Sequence, residues 1–274
     1  MCIRDSYNAL TAGKNDVVVL LADGTTAGSV RLSANFTWAK TAAHMMGVSS
    51  GVNISNRSRI APTSGVTAFA NFFTVSGSGC RFSNLQWFHG FTTGTTSQIC
   101  LTVTGTRNHF VGCHIAGMGD TESAHNAGSR CVLITAADEN QFDDCVIGVD
   151  TIARDVANAS VQFKSGTART VFRNCLFPML ATASTPLVGI VASAADSDRF
   201  QLFDRCTVIN AIKSTGTAID GAFTLAASMG GMIVVRDLTT VGVTSLGSDA
   251  TSRGQIYAFG PANNTSTSIA ANPA

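Results

Sequence analysis

The sequence predicts an all-β chain coiled as a right-handed parallel β-helix, a solenoid of about eight to nine rungs with three short strands in each. Three observations predict it. A Phe-x-x-Cys motif returns about every thirty residues. The residue just before the Cys is of a type that tolerates a left-handed backbone. The apolar runs are short, alternating and cut by Gly, Asn, Asp and Ser.

The motif runs Phe82-Ser-Asn-Leu85, Phe110-Val-Gly-Cys113, Phe142-Asp-Asp-Cys145, Phe172-Arg-Asn-Cys175, Phe203-Asp-Arg-Cys206 and Val235-Arg-Asp-Leu238. Its fourth positions step by 28, 32, 30, 31 and 32 residues. Two positions further on stand Trp87, Ile115, Ile147, Phe177, Val208 and Thr240. A period in this range means stacked supersecondary units. A helical unit needs apolar residues at i, i+3, i+4 and i+7. Runs such as "ICLTVTG", "RCVLIT" and "SVQFKSG" instead alternate and favour Val, Ile, Phe and Thr, which is strand chemistry. In the fourth unit, residues 159–166, 169–172 and 175–177 are the three expected strands.

The residues at the third motif position are Asn84, Gly112, Asp144, Asn174, Arg205 and Asp237. All but Arg205 belong to the types that accept positive φ. A tight corner there lets Phe end one inward strand and Cys begin the next. Stacked rungs then place Phe110, Phe142, Phe172 and Phe203 in one interior column, and Cys113, Cys145, Cys175 and Cys206 in another. The right-handed coil follows from the handedness of parallel β connections.

Composition bounds the rest. The chain has 274 residues, of which 45% are hydrophobic and 13% charged, about half the usual charged share. Net charge is +1, and Lys occurs only at Lys14, Lys40, Lys164 and Lys213, so neither nucleic acid nor an anionic membrane is an expected partner. No apolar run approaches the roughly 18 residues of a spanning helix. The eight Cys form no CxxC pair and no zinc-type Cys/His spacing, so no metal and no cofactor are expected. Buried thiols act as small hydrophobes and fit assembly in a reducing cytosol.

Four regions are expected. Residues 1–6 resemble translated sequencing-adapter sequence and read as a non-native leader. Residues 7–60 hold an N-terminal cap and one or two early rungs. Residues 61–250 form the β-helix core. Residues 251–274 hold a C-terminal strand and a loose tail.

The candidate chemistry lies in two loops, residues 116–130 and 148–159, which occupy equivalent places in successive rungs. Asp120, Glu122 and His125 of one are expected to meet Asp150, Arg154 and Asp155 of the other. Carboxylates beside an Arg suit proton transfer on polysaccharides, and a salt-bridged cover over the rod is the plainer reading. Asp143–Asp144 reads as a corner with its neighbour projecting outward, Asp138–Glu139 as a solvated turn, and His109 and His114 as edge residues beside a corner. The non-Phe aromatics are Trp38, Trp87, Tyr7 and Tyr257, too few for an obvious sugar-stacking platform.

The corner-and-ladder segments "FRNCLF" and "FDRCTV" resemble the right-handed β-helix of the pectate-lyase-like superfamily, over roughly residues 15–245. The resemblance implies the fold and carries no catalytic residue across. The Asn-Thr-Asp, Gly-His-Gly and Arg-Ile-Lys segments of polygalacturonase-like enzymes are missing, and Asp143–Asp144 sits on the wrong part of the repeat. The same fold builds phage tailspike shafts, and the stretch from Cys145 to Pro178 is similar to uncharacterised phage structural proteins. The resemblance therefore implies a phage virion structural or surface-adhesion protein without catalytic activity. It would assemble in a host cytoplasm as a homo-oligomer such as a trimer, or with other virion proteins, and would meet host-surface carbohydrate. A carbohydrate-active β-helix enzyme, such as a depolymerising tailspike, is the alternative. A bacterial surface adhesin is the second, and both would act extracellularly.

Overall fold

The structure is a computed structural model and describes residues 3–21, 30–49, 57–63, 65, 70–90, 97–211 and 216–260. The chain is a parallel β-solenoid with three sheets. Among the described residues, the first sheet has nine strands, from Val17–Leu20 to Ile256–Phe259. The second has eight, from Val30–Leu32 to Thr239–Val241, and the third seven, from Phe36–Trp38 to Phe223–Leu225. Full three-stranded turns are thus fewer than the eight to nine expected, because the third sheet, present from the first turn, ends before the other two. The fourth unit holds strands Ala159–Lys164, Thr167–Arg173 and Leu176–Ala181, close to the predicted three.

The corners behave as the motif requires. Asn84, Gly112, Asp144, Asn174, Arg205 and Asp237 all have φ between 49° and 59°. Each corner is locked to the next rung by its own N–H. Asn84 donates to Val111 O at 3.0 Å, Gly112 to Asp143 O at 3.0 Å and Asp144 to Arg173 O at 2.9 Å. Arg205 adopts this backbone although Arg is rare there, so the stacked rungs override its local preference.

Register puts Phe82, Phe110, Phe142, Phe172 and Phe203 opposite one another along the first sheet. Their rings stack with centroids 5.0, 4.6, 4.8 and 4.8 Å apart, nearly the strand spacing. Such pairs add about 0.5–1.5 kcal/mol each beyond burial. The four motif thiols form the neighbouring column, each at most 1% exposed. Each donates to the ladder Phe carbonyl one rung back: Cys113 to Phe82, Cys145 to Phe110, Cys175 to Phe142 and Cys206 to Phe172, at 3.3–3.5 Å. Burial pushes the Cys145 thiol well up, so it stays neutral. All seven described cysteines are free.

The N-terminal end of the rod is covered. Helix α1 (Ile3–Ala9) buries Ile3 and sets the Tyr7 ring against Phe36 and Trp38, at 5.4 and 4.9 Å. Residues 3–6, set aside from the fold reasoning, lie within this helix. Lys40 Nζ donates to the carbonyls of Tyr7, Asn8 and Leu10 at the end of α1. The expected loose tail, residues 261–274, lies outside the described residues.

Candidate functional site

Strand alternation sends every second side chain outward, so each sheet displays columns of residues from successive rungs. On the second sheet one column is Arg59, Gln86, His114, Val146 and Leu176. The column beside it includes Phe88 and Ala116. Together with Gly148 and Pro178 they floor a groove of about 290 Å³, at the lower end of ligand-pocket sizes (~300 Å³). Val149–Thr151 and Arg57 rise beside it as walls. Gly148 is required where the wall turns away. Its φ is +126°, and a Cβ there would lie 2.5 Å from Pro178 O.

The groove floor is tied together across rungs. Arg59 Nε donates to Gln86 Oε1 at 2.7 Å. Gln86 Nε2 lies 2.9 Å from His114 Nδ1, and His114 Nε2 lies 3.0 Å from Gly148 O. The Arg59 guanidinium sits over the Phe88 ring, 5.5 Å from its centroid. Arg57 Nε is buried, with no hydrogen-bond partner among the described residues. Burial pushes His114 down to about 4, against the pull of the Gly148 carbonyl and of Asp150, and with the push of Arg57 and Arg59. The imidazole is therefore neutral at pH 7. Among the described lining residues, two guanidiniums face one carboxylate, Asp150.

The two predicted loops do stack. Asn158 Nδ2 donates to Ala124 O at 2.6 Å, and His125 Nδ1 lies 2.5 Å from Asp155 Oδ1. His125 of one loop thus meets Asp155 of the other. Asp120 caps helix α2 (Thr121–Ala124), accepting from Ser123 N at 2.9 Å, and Glu122 is exposed in its first turn. Arg154 is a correction to the expectation. It is 2% exposed and lies beneath the loops. It donates to Asn158 Oδ1 at 2.6 Å, Ser160 Oγ at 3.3 Å, and the carbonyls of Asn158 and Leu187 at 3.0 Å. Burial pushes it down to about 10. It ties the loop to the third sheet. Only Asp150 of the six lines the groove.

The first sheet shows what the other predicted acids do. Asp143 accepts from Gln141 Nε2 at 2.6 Å and meets His109 at 2.9 Å and Arg173 at 3.4 Å. Asp204, with no side-chain exposure, meets Arg173 at 3.3 Å and Arg236 at 2.5 Å. Arg236 holds the Asp204 carboxyl below its ordinary range. Glu139 bridges Arg107 and Arg169 at 2.6 and 3.0 Å. These acids are neutralised by neighbouring rungs. Asp144 is the corner itself.

Arg57, Arg59, Gln86, Phe88 and His114 were not singled out as site residues. The signal lay in the repeat, one residue past the motif's fourth position. There Gln86 and His114 are polar, and Val146 and Leu176 apolar. A groove floor with one polar end reads out of that column once its outward direction is known.

No protein-family model and no curated protein sequence matches the chain. Solved structures do. Pectin methylesterase PemA from Erwinia chrysanthemi superposes with a TM-score of 0.64 at 14% identity, covering 97% of this chain and 87% of that one. The pectin methylesterase from Yersinia enterocolitica gives 0.60 at 10% identity, over 94% and 88%. That from Aspergillus niger gives 0.55 at 13%, over 98% and 89%. The likeness shows the fold alone, a right-handed parallel β-helix. It offers no link to phage or tailspike proteins.

Proposed function

We propose that this chain is a carbohydrate-binding β-helix protein that holds an acidic polysaccharide in the groove of its second sheet. The observation that carries the reading is the groove's charge. Arg57 and Arg59 stand together in a recess sized for about one sugar ring, with Asp150 as the carboxylate of the lining. Guanidiniums suit carboxylate or sulfate groups through paired N–H donors, and the Phe88 ring gives an apolar floor beside them. The structural neighbours act, by their names, on pectin, which favours a carbohydrate ligand over other anions. One carboxylate does not make the paired acids of glycosidic cleavage, so binding is the activity this geometry supports.

The test is retention by a panel of acidic and neutral polysaccharides, followed for chain length and ester content. Retention by acidic chains alone, unshortened, is the expected result. Equal behaviour with neutral chains would overturn the reading, and reproducible depolymerisation would convert it to that of an enzyme.

A second reading, the self-associating virion or adhesion protein, draws on a different observation. Val17, Val19, Leu21, Met46 and Val48 lie together on the outer face at the N-terminal end, with exposures of 44–72%. An apolar strip of this kind suits packing against another chain. Concentration-dependent sedimentation of the wild type, lost in Val19→Lys, would support it. A monomer at high concentration would remove it.

A further inference from the structure

The hydrogen-bond chain across the groove has a direction, and each link sets the next. Gly148 O can only accept, so His114 Nε2 carries the ring proton. A neutral imidazole has one N–H, so Nδ1 is an acceptor and must receive Gln86 Nε2–H. That places Gln86 Oε1 toward Arg59, where it accepts from Nε. The amide and ring orientations follow from the network. Gln86 is 1% exposed, so water has little room to replace either partner.

We propose that His114 is a positioning residue for the groove: acting through Gln86, it fixes the Arg59 guanidinium over the Phe88 ring, where an anionic sugar is bound. The inference rests on the reading of the groove given above and adds the element that sets its specificity. Protonating Nδ1 would aim an N–H at the Gln86 NH₂ group. The amide would then turn, bringing its NH₂ against Arg59 Nε–H, and the guanidinium would leave its place. The charged groups that face His114 are Arg57 and Arg59 on one side and Asp150 from the wall. The flanking strands Gln86–Phe88 and Val146–Ile147 bring no charge. Both Arg side chains oppose protonation, as does burial, so the relay is intact at neutral pH and fails on acidification toward pH about 4.

The probe is a sulfated oligosaccharide, whose charge is constant between pH 4 and 7 (roughly, since sulfate esters stay ionised far below the carboxylate range). Wild-type affinity should fall about tenfold or more across that range, one charge-assisted contact being lost. His114→Asn, whose amide oxygen takes the place of Nδ1 as acceptor, should keep the neutral-pH affinity within about threefold and lose the pH dependence. His114→Leu should bind weakly at every pH. Nitrogen NMR of the wild-type ring gives a readout that needs no ligand. The Nε2–H tautomer is expected, and it should persist in Gln86→Leu, where Gly148 O still holds the Nε2 proton while Nδ1 loses its donor. If the wild type binds no acidic probe at pH 7, the reading of the groove falls and the inference with it. If it binds, and His114→Asn keeps the wild-type pH profile or the ring carries its proton on Nδ1, the relay alone is overturned.

Discussion

The outer faces of the first and second sheets come from the same rungs, yet they dispose of charge in opposite ways. On the first sheet, one column reads Asp143, Arg173, Asp204 and Arg236, register partner by register partner. Each acid lies against an arginine of the adjacent rung, and the column neutralises itself. On the second sheet, the matching column reads Arg59, Gln86, His114, then Val146 and Leu176. Its polar groups pass a hydrogen bond along, and no strand residue in it is an acid. Alternating charges one strand apart serve register and stability. The column that ends in Arg59 lines a recess, and it is there that we propose a ligand arrives from outside.

The comparison is sharpest for binding. Removing both groove cations, Arg57→Ala with Arg59→Ala, should cost about 3 kcal/mol of acidic-polysaccharide affinity, roughly a hundredfold, from two charge-assisted contacts. Titration calorimetry reads this, and the melting temperature should fall as well, because Gln86 Oε1 loses its buried partner Arg59. If the double variant bound as well as the wild type, the contrast between the faces would lose its functional meaning.

Next comes pH. His89, stacked on Phe72 and fully buried, and His114 are both pushed down to about 4, chiefly by burial. An unfolded histidine takes its proton near 6.5, while the folded one refuses it until about 4. Their contribution is therefore complete above pH 6.5 and is lost as pH falls toward 4, by up to about 3 kcal/mol per ring. Asp204, held low by Arg236, adds a loss below the ordinary carboxylate range. Denaturant midpoints measured from pH 7 to 4 should fall accordingly, with about half the slope in His114→Asn.

The first-sheet column offers the converse variant. Asp204→Asn should lower stability by about 2 kcal/mol, since a buried acceptor shared by two rungs loses its charge. Its affinity for acidic chains should be that of the wild type. Weaker binding by this variant would mean that the two faces are not independent. The smallest effect belongs to the N-terminal strip. Val19→Lys should change stability by less than about 0.5 kcal/mol, and sedimentation shows whether it changes the assembly.

Much of the architecture was legible because the repeat is written in the residues that build it. The Phe, corner and Cys positions are those where one residue type solves one steric problem, rung after rung. Arg205 shows the limit of that logic, a corner held by its neighbours rather than by its own propensity. The number of complete turns was not legible, because a third strand such as Phe36–Trp38 carries no motif. The site was harder. Arg154 looked like a free cation in a polar loop, and only its four hydrogen bonds reveal it as a buried tie. His114 looked like an edge residue because its partners, Gln86 and Gly148, lie 28 and 34 residues away in sequence. Spatial columns formed by stacking are the information a single rung cannot show.

Amide hydrogen exchange with and without a bound acidic oligosaccharide tests the central claim most directly. Protection should rise in segments 57–60, 86–89, 114–116 and 148–151, while the first-sheet segments 141–144, 171–174 and 202–205 stay unchanged. Protection that appears on the first sheet and spares the second would contradict the assignment of the groove.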